Sequence, residues 1–199
     1  ILKKKLIKND FNQDSVLERL KFQLENSNIN TKYSLKPDFS WACINVDQIV
    51  NKFFGNKFVL IFPFSSPQLS HKQWPYYNKL IKIIKLKHTT FEIVIAPGPN
   101  ETEEAEKIDA TKITNNNKAL NIMELAGLIK KSSFVISNDT GPAHMAAHLG
   151  KNGVVLFGHH TTPQKVSIET SKFKALTVNK LKDLSAEQVY SKIKSQLEL

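Results

Sequence analysis

The residues best suited to chemistry lie in one short turn between a predicted strand and a predicted helix. The turn contains Asn138, Asp139, Thr140 and Gly141. The first three are favoured helix N-cap residues, and Pro142 suits the first helical turn, where its missing N–H costs nothing. Free backbone N–H groups and the positive end of the helix dipole therefore meet at one point, which predicts an anion-binding site. From the local sequence alone, Asp139 is best explained as an N-cap, since a carboxylate repels phosphate.

A lysine and two serines follow the predicted strand 58–62. Ser65 and Ser66 carry hydroxyl donors. Lys72 lies just before a helix that Trp74 opens, so its ammonium group can reach the same anion as the N-terminus of that helix. A solvated surface position is the commonest fate of lysine, and on these residues alone both interpretations stay open.

Two further loops carry polar candidates. Glu101 suits hydrogen bonds from a ribose, but taken alone we favour a helix-dipole role for this first-turn carboxylate. His144 lies one turn into its helix, where a single histidine is more often packed than catalytic. His159 and His160 follow a predicted strand, and we expect a substrate contact from this loop and select His159.

Metal and nucleic-acid sites are not predicted. His144 and His148 have i, i+4 spacing but lack the intervening glutamate of a zinc protease helix, and there is no Walker loop or nucleophile elbow. The net charge of +10 suggests an anionic partner, yet Arg19 is the only arginine, and base readout favours arginine. Attraction to acidic lipid headgroups stays open.

The composition predicts a cytoplasmic protein. The single cysteine, Cys43, excludes an internal disulfide framework and fits a reducing compartment. No apolar run approaches the roughly 18–20 residues of a membrane span. Residues 1–8 are basic but are not followed by an apolar segment, so we predict no signal peptide.

Short apolar runs alternate with amphipathic segments along the chain. The predicted strands are 58–62, 91–95, 134–137, 154–157 and 175–178, with a shorter one near Ile113. The predicted helices are 15–24, 46–54, 74–86, 101–109, 122–129, 140–149 and 184–197. This alternation predicts an α/β fold, a Rossmann-like parallel sheet with helices on both faces. Ligands of such sheets lie outside the carboxyl ends of the strands, where all the candidate loops fall.

Several motifs in chain order resemble glycosyltransferase family 9, the ADP-heptose:lipopolysaccharide heptosyltransferases. The most specific is the Asp-Thr-Gly-Pro-x-His element at residues 139–144. The supporting motifs are Lys-x-Trp-Pro at 72–75, Gly-x-x-Glu at 98–101, the helix at 123–129 and Leu-Phe-Gly at 156–158. The resemblance covers residues 57–163. It departs from the family around the end of Leu-Phe-Gly, where Gly-Pro-Thr-Asp is usual and this chain has Gly-His-His-Thr-Thr at 158–162.

The resemblance implies one half of a GT-B fold, in which two Rossmann-like halves enclose the active site. We assign residues 56–199 to the donor-binding half, and residues 1–55 to a remnant of, or linker from, a missing amino-terminal half. By the resemblance, Lys72, Thr140 and Gly141 hold the donor diphosphate, Asp139 contacts the donor sugar, and Glu101 contacts the nucleoside. Lys72 and Asp139 are the catalytic candidates.

The remaining substrate-binding candidates are assigned by position. His144 lies near the phosphate or sugar by the resemblance, and Ser65 and Ser66 fall where the family has small residues. Asn138 and His159 complete the set because they belong to the same loops.

The implied function is that of a donor domain in a heptosyltransferase-like enzyme. The donor is a nucleotide-diphosphate sugar, with ADP-heptose expected, and the acceptor is a lipopolysaccharide or another glycan or lipid-linked molecule. No cofactor is expected, since the nucleotide sugar is a substrate. The missing half supplies the acceptor site and general base, so this fragment alone is expected to be inactive.

The expected location is the cytoplasm, with peripheral contact at the inner face of the inner membrane. Two alternatives remain, an epimerase-like GT-B half that uses a nucleotide sugar and a non-catalytic binding module.

Overall fold

One parallel sheet forms the centre of the molecule. The computed structural model describes residues 13–55 and 57–198. Within them, six strands pair in the order β3-β2-β1-β4-β5-β6, every pair parallel. The strands are β1 (Phe58–Phe62), β2 (Glu92–Ile95), β3 (Thr111–Lys112), β4 (Phe134–Asn138), β5 (Gly153–Phe157) and β6 (Phe173–Thr177). The predicted α/β parallel sheet is confirmed, while the basic residues 1–8 lie outside the described residues.

Helices cover both faces of this sheet. They are α1 (Val16–Asn26), α2 (Asp47–Val50), α3 (Tyr77–Lys87), α4 (Thr102–Ala105), α5 (Ile122–Lys131), α6 (Gly141–His148), α7 (Pro163–Val166) and α8 (Ala186–Leu197). The buried faces of α5 and α6 join one hydrophobic cluster, and those of α3 and α8 join the other. In the described part of the chain, no helix is long and apolar enough to span a bilayer.

The central strands are apolar on both faces because both faces are covered. All five residues of β1 are buried, and β4 and β5 are buried throughout. Alternate residues enter opposite clusters, so that Leu60 and Val135 pack on the α5–α6 side while Val59 and Phe134 pack on the α3–α8 side. This explains why these segments are continuous apolar runs rather than alternating ones.

The strand order places a crevice beside the centre of the sheet. β1 pairs with β2 on one side and with β4 on the other, with Leu60 opposite Val94 and also opposite Val135. The chain therefore leaves β1 and β4 toward different faces, and their carboxyl ends flank a topological switch point. Ligands of doubly wound sheets bind at such points.

Several predicted helices are shorter than the sequence suggested. The helix predicted over 74–86 begins at Tyr77, after a 3₁₀ helix, Pro67–Lys72, that was not predicted. The polar helix predicted over 101–109 is reduced to α4, which buries only Ala105 and so has little apolar surface to stabilise it. The helix predicted over 46–54 is similarly limited to α2. By contrast, α8 extends to Leu197 as predicted, and Ser185 caps its start with a complete capping box.

The segment before the sheet packs closely on α5. Ala42, Val46 and Val50 are buried in the same cluster as the α5–α6 face, and α5 contributes Gly127 at the contact. A Cβ at Gly127 would overlap the Ile44 carbonyl oxygen and lie 2.9 Å from Val46 Cγ1. Glycine at this position therefore allows the two segments to approach. The division of the chain at residue 55 stays a prediction.

Replacing Gly127 by alanine is expected to destabilise the fold. Alanine ordinarily gains up to about 1 kcal/mol over glycine inside a helix, but here its methyl group meets backbone, and overpacking of this kind costs roughly 1–3 kcal/mol. We expect the free energy of unfolding, measured by urea denaturation, to fall. Gly55→Ala is the control, since a Cβ there meets nothing within 4 Å. An equal change in the free energy of unfolding of the two variants would contradict the close approach of Ile44 to α5.

Candidate functional site

A cleft of about 500 Å³ lies at the switch point. It is bounded by the loops that follow β1, β2 and β4 and by the start of α6. Its lining residues include Phe62, Pro63, Phe64, Ser65, Ser66, Leu69, Lys72, Ala96, Gly98, Glu101, Leu125, Asp139, Thr140, Gly141, Pro142, His144 and Val166. The wall thus combines apolar side chains with a small set of charged and hydroxyl groups, as in sites for medium-sized organic ligands.

The N-terminus of α6 faces this cleft. Thr140 is the N-cap residue, in extended conformation, and Gly141 is the first helical residue. The Thr140 side chain makes no capping hydrogen bond; its hydroxyl lies 3.4 Å from both the Asn138 carbonyl and Ser137 Oγ. The helix therefore presents its positive end to the cleft without a side-chain acceptor over it, which suits an anion.

A buried carboxylate lies beside this helix start. Lys72 Nζ donates to Asp139 Oδ2 at 2.7 Å, and His160 Nε2 lies 3.0 Å from the same oxygen. His144 Nε2 lies 3.5 Å from Asp139 Oδ1. Only 4% of the Asp139 side chain is exposed. The capping role predicted for Asp139 from local sequence is wrong, because Thr140 holds the cap position. The two shortest contacts of the carboxylate are instead with Lys72 and His160, which are distant in sequence.

The ionisation of this cluster follows from its contacts. Burial raises the pKa of the Asp139 carboxyl, but the contacts from His144, Lys72 and His160 outweigh it and hold that pKa well below its usual range. Burial lowers the pKa of His160, and Lys72 lowers it further, although Asp139 opposes both. At neutral pH the cluster therefore combines an anionic Asp139 with a neutral His160.

Asn138 lies beneath the cleft rather than in it. Its side chain is fully buried, and its amide donates to the Pro63 carbonyl at 2.7 Å. Its Oδ1 accepts from the Trp74 backbone N–H at 3.2 Å and from the Tyr77 hydroxyl at 3.0 Å. These contacts join the end of β4 to the loop after β1 and the approach to α3. The sequence predicts that Asn138 binds substrate, but its contacts make it a support for the residues that line the cleft.

The serine and glutamate candidates line the cleft with protein partners of their own. Ser65 Oγ donates to the Leu69 carbonyl at 2.9 Å, while Ser66 is exposed at the start of the 3₁₀ helix. Glu101 Oε2 accepts from the Gly98 backbone N–H at 2.7 Å. Each is accessible from the cleft, since all three belong to its lining.

The structure brings His144 and His160 to the buried carboxylate but leaves His159 apart. His159 is exposed, and its Nδ1 donates to the Asn179 carbonyl at 3.1 Å. His160, which sequence reasoning did not select, is folded inward against Phe157. The only sequence signal for it was its place after β5, which His159 shares.

A model of the family "Glycosyltransferase family 9 (heptosyltransferase)" matches residues 4–194. The lipopolysaccharide core heptosyltransferase OpsX of Haemophilus influenzae is 32% identical over 119 residues, which cover 57% of this chain and 33% of OpsX.

Solved structures of the same family share the fold. E. coli heptosyltransferase WaaC, solved with ADP, aligns with a TM-score of 0.65 at 18% identity, covering 89% of this chain and 55% of that one. A family 9 glycosyltransferase from Veillonella parvula aligns with a TM-score of 0.69 at 16% identity, covering 98% of this chain and 62% of that one. The chain therefore spans about a third of OpsX and about half of WaaC.

Proposed function

We propose, from the premise that this chain belongs to glycosyltransferase family 9, that its cleft binds the nucleotide-sugar donor of a heptosyl transfer. The donor is ADP-heptose, and the acceptor is a lipopolysaccharide or another glycan. The observation that carries the proposal is the meeting of Lys72, Asp139 and the N-terminus of α6 in one cleft at the switch point. The relative WaaC was solved with ADP, and OpsX is described as a lipopolysaccharide core heptosyltransferase.

The proposed pose follows the charges of the cleft. The diphosphate lies at the start of α6, within reach of the Thr140 hydroxyl, the Gly141 backbone and the Lys72 ammonium group. The donor sugar lies against Asp139 and His144. The Asp139 carboxylate accepts hydrogen bonds from sugar hydroxyl groups, and the His144 ring donates to them. The nucleoside lies toward Glu101, whose carboxylate faces the cleft from the loop after β2.

The proposed chemistry is transfer of the sugar from diphosphate to an acceptor hydroxyl. The bond between the anomeric carbon and the diphosphate oxygen breaks, and negative charge develops on the departing ADP. Lys72 and the helix dipole of α6 stabilise that charge, and pre-aimed groups of this kind commonly supply the largest catalytic contribution. The acceptor hydroxyl loses its proton to a general base. We place that base in the region of OpsX and WaaC that has no counterpart in this chain.

Calorimetric titration with ADP and with UDP tests this proposal. We expect the chain to bind ADP, and to bind UDP more weakly. Absence of heat at millimolar ADP, with folding confirmed by circular dichroism, would overturn the proposal. A preference for UDP would indicate an epimerase-like donor site, and equal weak binding of both nucleotides would indicate a non-selective module.

A further inference from the structure

Two groups donate to one oxygen of a buried carboxylate. Asp139 Oδ2 accepts from Lys72 at 2.7 Å and from His160 at 3.0 Å. The proposed function requires Lys72 at the diphosphate as well. Lys72 therefore has two anionic partners, Asp139 and the diphosphate. Binding the diphosphate moves its ammonium group away from Asp139.

The burial of Asp139 makes that withdrawal costly unless a second donor stays in place. The side chain is almost fully enclosed, and removing one partner of a buried ion pair leaves an uncompensated charge. His144 approaches the other oxygen, Oδ1, at the longer distance of 3.5 Å. His160 is thus the closest remaining donor to Oδ2 once Lys72 leaves.

His160 is held rigidly for this task. Its ring stacks on Phe157, with ring centroids 5.8 Å apart and planes 12° apart, and the His71 ring meets its edge at 5.5 Å. Only 7% of its side chain is exposed. The structure therefore fixes the imidazole by packing, independently of Lys72.

The proton of His160 also has a defined place. Its Nδ1 is buried near Gly158, with no hydrogen-bond partner among the described residues. An N–H there would be a buried unsatisfied donor, so the neutral ring carries its proton on Nε2, toward Asp139. The charged or titratable groups around the pair are His71, Lys72 and His144.

We propose that His160 is a positioning residue that holds the Asp139 carboxylate whenever Lys72 is withdrawn from it, and so frees Lys72 for an anion. The freeing of Lys72 for an anion rests on the proposed function, whereas the holding of Asp139 by His160 does not.

The first test needs no ligand. Lys72→Ala imitates withdrawal of the lysine, and long-range ¹H–¹⁵N spectra of the histidine rings report the protonated nitrogen. We expect His160 to keep its proton on Nε2 in this variant. We also expect its pKa to rise, because the repulsion by Lys72 is gone while the attraction of Asp139 remains. A proton on Nδ1, or a pKa unchanged by the substitution, would overturn the inference.

The second test is a mutant cycle read by ADP calorimetry. His160→Phe keeps an aromatic ring on Phe157 but removes the donor, and we expect ADP to bind about tenfold more weakly, the scale of one hydrogen bond to a charged group. In an Asp139→Asn background the same substitution should have no effect, since there is no buried charge to hold. His160→Gln retains a neutral donor and should restore most of the affinity.

The controls separate the possible failures. His88→Ala alters a histidine outside the cleft, at the end of α3 where it contacts Tyr190, and should leave ADP binding unchanged. An equal loss from His160→Phe with and without Asp139 would show that the ring acts only by packing, which overturns the inference. If the unmodified chain binds no ADP, the proposed function fails, and the ligand-free spectrum of Lys72→Ala still decides whether His160 holds Asp139.

Discussion

Lys72→Ala is expected to weaken ADP binding by about 10- to 100-fold while leaving adenosine binding unchanged. A hydrogen bond between charged groups contributes roughly 1.5–3 kcal/mol, and each 1.4 kcal/mol corresponds to about a tenfold change in Kd. Adenosine lacks the phosphates that Lys72 is proposed to contact, so the two ligands separate a phosphate contact from a general disturbance of the cleft. Calorimetry with both ligands measures the difference.

Lys79→Ala is the matched control for this substitution. Lys79 is an exposed lysine on α3, paired with Glu187 at 3.0 Å, and its side chain is far more accessible than that of Lys72. Exposed pairs of this kind contribute little, so its loss should change neither affinity. Equal weakening of ADP and adenosine by Lys72→Ala would contradict the placement of the diphosphate.

Asn138→Ala is expected to lower the free energy of unfolding by about 3 kcal/mol or more. The substitution leaves two buried groups without their partner, the Pro63 carbonyl and the Trp74 N–H. The Tyr77 hydroxyl loses Asn138 Oδ1 but keeps the Phe62 carbonyl at 3.4 Å. Each buried polar group left unsatisfied costs roughly 1–3 kcal/mol. Urea denaturation followed by Trp fluorescence measures the change. Because Asn138 also ties the loop carrying Lys72 to β4, the folded fraction should bind ADP less tightly.

Asn121→Ala is the matched control, because it makes the same substitution at an exposed asparagine and its loss in free energy of unfolding can be compared directly. Asn121 caps α5 by accepting from the Met123 and Glu124 backbone N–H groups. Removing an exposed N-cap of this type costs typically about 1 kcal/mol. Should Asn138→Ala cost no more than Asn121→Ala, the buried network would not be the support that its geometry indicates.

The sheet was predictable because burial on both faces leaves a signal that needs no tertiary information. The apolar runs at 58–62 and 134–137 are strands by composition and length, and the structure places β1 and β4 there, with β4 one residue longer. Short helices such as α4 were overextended, because helix ends depend on how much apolar surface a segment finds to cover. Only the assembled fold supplies that surface.

The candidate site was predictable in its loops but not in its pairings. Parallel strands bring the residues after β1 and β4 to one edge, so the convergence of Lys72 and Asp139 follows from topology. The choice between His159 and His160 depends on which way a loop turns after β5, and adjacent residues of one type carry no signal for it. The role of Asp139 was mispredicted for a related reason, since its two closest partners, Lys72 and His160, lie far away in the sequence.

The pairing of β1 with β4 also sets the order in which this protein is completed during synthesis. Both β1 and β2 are complete once residue 95 has been made, but the strand that pairs with the other edge of β1 is β4, which follows later. Pairings between segments distant in the chain form slowly, and an exposed apolar strand edge in the meantime favours aggregation. A nascent chain that stops before α6 contains Lys72 but lacks the helix N-terminus that faces the cleft. Ligand is therefore able to stabilise only chains that have passed this point.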